Sequence, residues 1–369
     1  MVSLITQLFS LKKGNMRSLR LHRLIQTAWV LPLFLFLLIT NNIALLIDWI
    51  IFPGFKKQEI KDPVFIVSLP RTGTTNLFHG LTSPNGFFSA MSLWEIILAP
   101  SVTQKKVYRF IWACCPQIVR RKIKLFDEFL FKKLNSIHRI SLFKKEEDEI
   151  ILMWALSSVY MSFFYPESNV MRDLFRFDMD LSEKRKTRIM KIYYRMVQRH
   201  LFALNKNSNK RYIAKNPSMA AKVDSISNFF PGGKAIIIDR NPCYVFPSTV
   251  KLQSFLFNLA TDIPTSMREK KAITDILEDF YLNLHLNLSN KKKMPFVIIS
   301  FNDLVNNRSG VIKSLLSWLG QNPMNFKDVD ETKHQTKATY YPLNEREFNE
   351  ILKTPWTNWK KSYFLKVSQ

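Results

Sequence analysis

The stretch Pro63-Val-Phe-Ile-Val-Ser-Leu-Pro-Arg-Thr-Gly-Thr-Thr-Asn76 decides the fold of this 369-residue chain. An uncharged run of β-branched and aromatic residues ends at Pro70, and an apolar helical pattern follows Thr75. This order predicts a buried strand, a tight loop and a helix. The loop would present backbone N–H groups, two hydroxyls and a guanidinium at a helix N-terminus, which together favour an anion such as phosphate.

The same loop limits which class of ligand could carry that anion. A Walker A loop has two glycines separated by four residues and followed by lysine and serine or threonine. Here there is one glycine, Gly73, no lysine, and Arg71 before the glycine. A nucleotide triphosphatase or nucleotide kinase is therefore disfavoured, although on its own the loop could also be a turn with a helix cap.

A second segment, far along the chain, has a similar design. Ala235–Asp239 predicts another buried strand, which runs into Arg240, and Ser248 follows eight positions later. A rigid guanidinium fork suits a doubly charged phosphate, and a serine hydroxyl adds a neutral donor. Taken singly, Arg240 could be a surface arginine and Ser248 an ordinary helix residue. Together, and downstream of the first loop, they predict a second phosphate site.

Both segments resemble the sulfotransferases, which take a sulfuryl group from 3′-phosphoadenosine-5′-phosphosulfate (PAPS). The resemblance covers nearly the whole region after residue 60. It implies a P-loop-like α/β sulfotransferase fold, in which a central parallel sheet is flanked by helices. Short unbroken apolar runs at 64–68, 212–214, 235–239 and 296–300, separated by helical patterns at 182–204, 267–288 and 309–319, agree with such a sheet. Weaker similarities lie at Leu93–Glu95, Lys145–Glu149, Ile213–Pro217, Ile299–Leu304 and Trp356–Lys360.

The resemblance also implies roles for individual residues. Arg71 would contact the leaving oxygen, and Arg240 with Ser248 would hold the 3′-phosphate of the donor. Lys215 would reach the sulfuryl oxygens or the acceptor, or else be a solvated lysine after a strand. Phe301 stands where relatives carry a tyrosine that stacks near adenine, and it could equally be a core residue. Residues Thr72, Gly73, Thr74 and Thr75 would cradle the 5′-phosphate.

The general base is predicted to be Glu95, because membrane-bound and bacterial relatives use a carboxylate about twenty residues after the loop. Beside the apolar Trp94, its pKa could rise toward a useful value. A helix-capping or salt-bridged carboxylate is the competing interpretation. Met219 stands where many relatives have a histidine, which puts a histidine-based mechanism there in doubt. The acceptor would be a hydroxyl on a lipid, a glycan or a small molecule, and a non-catalytic membrane protein that retains the fold is the other alternative.

The N-terminal region predicts membrane association through residues 24–52. Leu24–Ile47 contains no charged side chain, and about twenty apolar residues can cross a bilayer. Pro32 and the pair Asn41-Asn42 divide the segment into halves at 28–39 and 43–52, so a monotopic arrangement competes with a single span. A buried helical hairpin is the third alternative. We expect residues 1–61 to form this segment and residues 62–369 the catalytic domain.

Lysine and arginine exceed aspartate and glutamate by 54 − 29 = 25 charges. No zinc-finger or RNP-type pattern accompanies the excess, so a nucleic-acid partner is not expected. A biased genome could account for it, as could a polyanionic donor and a lipid headgroup layer. The three cysteines have no metal-ligand spacing, and no metal is expected.

Overall fold

The computed structural model describes residues 21–82, 87–132, 135, 140–163, 169–204, 210–261, 267–289 and 294–326. Within these residues, five parallel strands form one sheet in the order β2-β3-β1-β4-β5. The four predicted strands are confirmed, whereas β2, only two residues long, was not predicted. The strands are β1 (Val64–Ile66), β2 (Phe88–Ser89), β3 (Arg211–Lys215), β4 (Lys234–Asp239) and β5 (Phe296–Ser300).

Helices flank the sheet, and the predicted helices after residues 182, 267 and 309 are confirmed within one or two residues at each end. The helices are α1 (Leu21–Ile51), α2 (Thr74–Leu81), α3 (Leu93–Ile97), α4 (Val102–Cys114), α5 (Gln117–Leu130), α6 (Asn169–Phe175), α7 (Phe177–Asp180), α8 (Glu183–Phe202), α9 (Val223–Phe229), α10 (Pro242–Thr261), α11 (Met267–Ser289), α12 (Phe301–Asn306) and α13 (Arg308–Trp318). Short 3₁₀ helices lie at Pro53–Lys57, Asp148–Ala155, Val159–Phe163, Pro217–Ala221 and Pro323–Asn325.

Both faces of the sheet are buried, which explains why its strands are continuous apolar runs. Because successive side chains of a strand point to opposite faces, Val64 and Ile66 join one core while Phe65 joins the other. The first core lies against α2 and α13, and the second against α8, α9 and α11. Helices on both faces of a parallel sheet are the layered arrangement that the sequence predicted.

Helix α1 is continuous, so the predicted division of this segment into two halves is wrong. Pro32 lies inside the helix, and Asn41 and Asn42 do not end it. Their side-chain amides instead donate to the carbonyls of Ile97, at 3.0 Å, and Trp154, also at 3.0 Å. Residues Ala28–Ile51 have a mean hydropathy of 2.4 and are, by length and composition, sufficient to cross a membrane.

The C-terminal half of α1 is joined to the rest of the protein by Asp48. This carboxylate is fully buried and caps α4 by accepting from the backbone N–H groups of Val102, at 2.8 Å, and Thr103, at 3.0 Å. It also accepts from the Thr103 hydroxyl at 2.8 Å and from Nε of Arg199 at 3.0 Å. One charged side chain therefore connects α1, α4 and α8.

We expect Asp48→Ala to lower the free energy of unfolding by roughly 3–5 kcal/mol, because it leaves Arg199 buried without its counter-charge. Urea denaturation followed by circular dichroism measures this. Glu59→Ala is the matched control: its partner Lys61 and Glu59 itself are more than 70% exposed, so its removal should cost less than about 1 kcal/mol. Equal losses in the two variants would show that Asp48 is not a structural junction.

Candidate active site

The carboxyl ends of four strands bring the predicted site residues to one edge of the sheet. Lys215 is the last residue of β3, Arg240 directly follows β4, and Phe301 directly follows β5. The loop from Pro70 to Gly73 follows β1, which lies between β3 and β4 in the sheet. Ligands of open α/β sheets bind at this edge.

The loop after β1 has an unusual backbone. Arg71 has a φ of +63° and Gly73 a φ of +89°, both in the left-handed region. A β-carbon at Gly73 would lie 3.2 Å from the Phe301 ring, so glycine is needed there for space as well as for conformation. The buried Thr72 hydroxyl donates to the Leu69 carbonyl at 2.7 Å, which holds the turn and leaves its side chain no donor for a phosphate.

The two predicted phosphate segments meet directly. Nε of Arg71 donates to the Ser248 hydroxyl at 2.9 Å, across 177 positions of sequence. The Arg240 guanidinium donates to the backbone carbonyl of Arg71. Burial, together with the charge of Arg71, lowers the pKa of Arg240. Two arginines thus lie close together, and the sequence, which assigned Ser248 to Arg240, did not predict the pairing of Ser248 with Arg71.

Phe301 connects these segments with β5. The Arg240 guanidinium lies 4.1 Å from the centre of the Phe301 ring, a cation–π contact, and 5.9 Å from that of Tyr244. The same Phe301 ring packs against Gly73. Phe301 therefore borders the predicted phosphate loop, residues 70–73, and one face of the Phe301 ring is already covered by a guanidinium.

Lys215 faces the same loop from β3. Its ammonium, 1% exposed, lies 3.3 Å from the Thr75 hydroxyl and 3.0 Å from a carboxylate oxygen of Glu147. Glu147 was not among the predicted site residues. The acidic run that contains it was visible in the sequence, but nothing local indicates that one member of the run pairs with a lysine 68 positions away.

Glu95 lies in a different environment from the one predicted. Its carboxylate accepts from the Ser92 N–H at 2.9 Å in a capping box, and from Nη2 of Arg109 at 2.8 Å. Burial opposes its ionisation, but His200, Lys105, the Ser92 N–H and Arg109 together lower the pKa of Glu95. The expected rise in the pKa of Glu95 is therefore wrong, and its role as a general base stays a prediction.

Glu95 also lines a cavity of about 410 Å³ at the β2 edge of the sheet. The Ser89 hydroxyl and Nε2 of His200 are 2.9 Å apart in this cavity, and Nδ1 of His200 lies 3.8 Å from Glu95. Burial lowers the pKa of His200 to about 4, so this imidazole is neutral near pH 7. The other lining residues are Phe88, Ala90, Arg109, Lys145, Leu204 and Lys210.

The acidic run Lys145–Glu149 joins this cavity to the phosphate loop. Asp148 is fully buried and accepts hydrogen bonds from the hydroxyls of Tyr193 and Tyr212, and burial raises its pKa to about 6. Glu149 pairs with Lys222 at 2.6 Å, and Glu147 pairs with Lys215. Three consecutive members of the run therefore contact β3, α8 and the residue before α9, which fixes the backbone of the run against the sheet.

A family model described as the sulfotransferase family matches residues 63–325, well over half of the chain. The chain belongs to the sulfotransferase family. Two relatives are each named omega-hydroxy-beta-dihydromenaquinone-9 sulfotransferase Stf3, one from Mycobacterium bovis and one from Mycobacterium tuberculosis. Each is 27% identical to this sulfotransferase over 300 residues, which cover 78% of this chain and 71% of the relative.

Solved structures agree with this sulfotransferase in fold. The sulfotransferase STF9 of Mycobacterium avium has a TM-score of 0.63 at 14% identity, covering 88% of this chain and 82% of its own. The sulfotransferase STF1 of Mycobacterium tuberculosis has a TM-score of 0.59 at 17% identity, covering 87% of this chain and 82% of its own. The predicted fold class and enzyme class are confirmed, and the alternatives of a kinase, an NTPase and a non-catalytic membrane protein are set aside.

The C-terminal similarity at Trp356–Lys360 lies outside the described residues. In the part of the chain that the structure describes, no group of three or more His, Cys, Asp or Glu side chains is arranged to hold a metal ion.

Glu146, beside Lys215 and Glu147, should make stability depend on pH. Burial raises the pKa of Glu146 from its ordinary 4.5 to about 7, against the opposing charge of Lys215. An acid whose pKa rises on folding adds stability below its unfolded pKa, and this contribution is lost as pH rises through its folded pKa. We therefore expect Glu146 to make the wild type lose roughly 2–3 kcal/mol of free energy of unfolding between about pH 5 and about pH 8 relative to Glu146→Gln, in which this contribution is absent.

Urea denaturation at both pH values measures the difference. Glu128→Gln, at an exposed position of α5, is the control and should leave the pH dependence as it is in the wild type. If Glu146→Gln were as pH-dependent as the wild type, Glu146 would not be the group that titrates.

Proposed function

We propose that this enzyme transfers a sulfuryl group from PAPS to a hydroxyl of a membrane lipid. The observation that carries the donor proposal is the convergence of Arg71, Lys215, Arg240 and Ser248 at one edge of the sheet. Guanidinium, ammonium and hydroxyl groups around a helix N-terminus form a donor set suited to a polyanion.

The residues present fit a nucleotide with phosphates at both ends of its ribose. The backbone N–H groups at the start of α2, with the Thr75 hydroxyl and Arg71, would hold the 5′-phosphosulfate. Arg240 would hold the 3′-phosphate, and the Ser248 hydroxyl, which accepts from Nε of Arg71, would donate to the same phosphate. Phe301 would border the adenine. When bound, the nucleotide supplies the sulfuryl group.

Fixed positive charge is the main catalytic resource of the site. Negative charge grows on the bridging oxygen of the leaving phosphate during sulfuryl transfer, and donors held in advance stabilise that charge without reorganisation. Arg71 is held by Ser248 and is the candidate for this role. Lys215 is held by Thr75 and Glu147, and from that position it would stabilise the sulfuryl oxygens.

Two carboxylates are candidates for the base that accepts the proton of the acceptor hydroxyl. Glu95 is the residue that the sequence predicts, but its ion pair with Arg109 disfavours proton uptake. Glu147 is also ion-paired, with Lys215 at 3.0 Å, but Lys215 in turn contacts Thr75 next to the predicted phosphate loop, and the Glu147 side chain is 18% exposed. We therefore propose Glu147 as a second candidate for the general base.

The membrane and the acceptor are proposed together. The Stf3 relatives are named for a hydroxylated menaquinone, a membrane lipid, and α1 is an exposed apolar helix at the N-terminal end of the domain. Residues 24–40, the uncharged part of α1 before Asn41, span roughly 25 Å at about 1.5 Å per residue, less than the roughly 30 Å of a bilayer core. Because Asn41 and later residues bind the domain, a monotopic arrangement fits α1 better than a full span.

The donor proposal is tested with purified enzyme, ³⁵S-labelled PAPS and a lipid extract. We expect labelled lipid from the wild type, and a rate lower by about 100-fold or more for Arg71→Ala, since a charge aimed at the leaving oxygen is removed. Arg188→Ala, at an exposed arginine of α8, is the control and should retain full activity. Calorimetry with the desulfated nucleotide should show weaker binding by Arg240→Ala. Absence of any nucleotide binding by the folded wild type would refute the proposal.

The base is identified by comparing Glu147→Gln with Glu95→Gln at equal nucleotide affinity. The variant that removes the base should lower kcat by about 100-fold or more and abolish the acidic limb of the pH–rate profile. The other variant should act through stability alone, visible as a lower melting temperature with kcat retained. If both variants keep kcat and the acidic limb, neither carboxylate is the base.

A further inference from the structure

Helix α5 presents its apolar side chains to solvent. Ile118, Phe126 and Phe129 are 72%, 61% and 73% exposed. On a helical projection the apolar residues fall on one side, an arc of about 160° that is interrupted by Lys122. The remaining exposed apolar residues of α5 are Val119, Ile123, Leu125 and Leu130. An apolar stripe of this width normally faces a protein core, whereas on α5 it faces solvent.

The polar side of α5 is the side attached to the protein. The buried Asp127 carboxylate accepts from the Ser141 hydroxyl at 2.7 Å and from the Leu142 N–H at 2.8 Å. The Arg120 guanidinium donates to the Ala113 carbonyl at 2.8 Å. These bonds fix the rotation of the helix about its axis. The outward orientation of the apolar side is therefore built into the fold.

Two helices that precede α5 in the chain also expose apolar side chains. Helix α4, which precedes α5 and packs beside α1, exposes Val107, Phe110 and Ile111 at helical spacing. Helix α1 exposes a stripe at intervals of three or four residues, while Asn41, Ala44, Leu45 and Asp48 face the domain. The exposed stripe of α1 consists of Trp29, Leu33, Phe36, Ile39, Ile43, Leu46 and Ile50.

Basic residues accompany the apolar surface. Val102–Leu130, which we name the amphipathic hairpin, contains seven lysines and arginines and two acidic residues. Arg121, Lys122 and Lys124 are exposed on α5 itself. At the end of α1, the Lys56 ammonium lies 3.9 Å from the Trp49 ring centre, and the Lys106 ammonium lies 4.3 Å from that of Phe52. Apolar side chains bordered by cations and aromatic rings suit an anionic phospholipid surface.

We propose that the amphipathic hairpin is a second membrane-docking element, which inserts the apolar side of α5 and α4 into an anionic leaflet beside α1. The enzyme would then lie on one leaflet, with α1 and α5 both in the plane of the interface. This inference extends the membrane association proposed above. It does not depend on the nature of the donor, because the hairpin contributes no residue to the phosphate loop.

Co-sedimentation with sucrose-loaded vesicles tests the proposal. The wild-type full-length protein should bind phosphatidylglycerol-containing vesicles and lose affinity as salt rises, because part of the attraction is electrostatic. The double substitution Phe126→Gln and Phe129→Gln should weaken vesicle binding by roughly tenfold or more, since two rings leave the interface. A matched control, Gln117→Ala, changes an exposed polar residue of the same helix without altering its charge and should bind as the wild type does.

A reporter separates docking by the hairpin from docking by α1 alone. Cys114 is exposed at the turn of the hairpin, and substitution of Cys115 and Cys243 by serine leaves it as the single thiol of the chain. A fluorophore on Cys114 should be quenched by lipids brominated near the headgroup. An unquenched fluorophore, together with unchanged vesicle binding by the phenylalanine double variant, would overturn the proposal and leave α1 as the docking element.

Other occupants of this surface are also distinguished. A wild type that forms concentration-dependent dimers and does not bind vesicles, with the dimers absent in the double variant, would overturn the proposal. The apolar face would then bind a second copy of the protein. Calorimetry with the desulfated nucleotide is performed on every variant. A double variant that binds nucleotide normally but does not bind vesicles supports membrane docking by the amphipathic hairpin, whatever the result of the transfer assay. If the double variant also loses nucleotide binding, quenching of the labelled Cys114 protein decides the outcome.

Discussion

The hydrogen bond from Arg71 to Ser248, together with that from Arg240 to the Arg71 carbonyl, is the constraint on which the active site depends. It joins the loop after β1 to the segment after β4 and holds Arg71 in a left-handed conformation that few non-glycine residues adopt. Two guanidinium groups held this closely repel each other, and burial weakens their hydration. The arrangement favours a bound anion, because an anion relieves both costs at once.

The opposite charge comes from one short run of sequence. Glu147, Asp148 and Glu149 reach Lys215, two tyrosines and Lys222 respectively, so the run is fixed at three points. A run fixed in this way can present the carboxylate of Glu147 beside Lys215 without moving. The proposed sulfuryl transfer would depend mainly on positioning and on electrostatic stabilisation. Charges of both signs that are held in place at the end of a rigid sheet suit that requirement.

The strands, the long helices and the loop between β1 and α2 could be predicted from sequence because each rests on local periodicity or on a short motif. What could not be predicted depends on residues that are distant in the chain. The sequence around Glu95 shows Trp94 but not His200 of α8 or Lys105 and Arg109 of α4, which approach from distant parts of the chain and lower the pKa of Glu95. Pro32, Asn41 and Asn42 suggested a broken helix, yet the two asparagines bond across to the domain, and a short edge strand such as β2 has no periodicity to detect.

The surface proposed for the membrane and the interior of the enzyme share the same helices. Arg109, the partner of Glu95, lies on α4, whose other side exposes Phe110 and Ile111. Asn41 of α1 donates to the last residue of α3, the helix that carries Glu95. A lipid that enters beside these helices would therefore approach the Glu95 cavity within one layer of structure. If α4 docks as proposed, a tilt of this helix toward the bilayer would also move the Arg109 guanidinium that contacts Glu95, and docking would then affect the cavity that Glu95 lines.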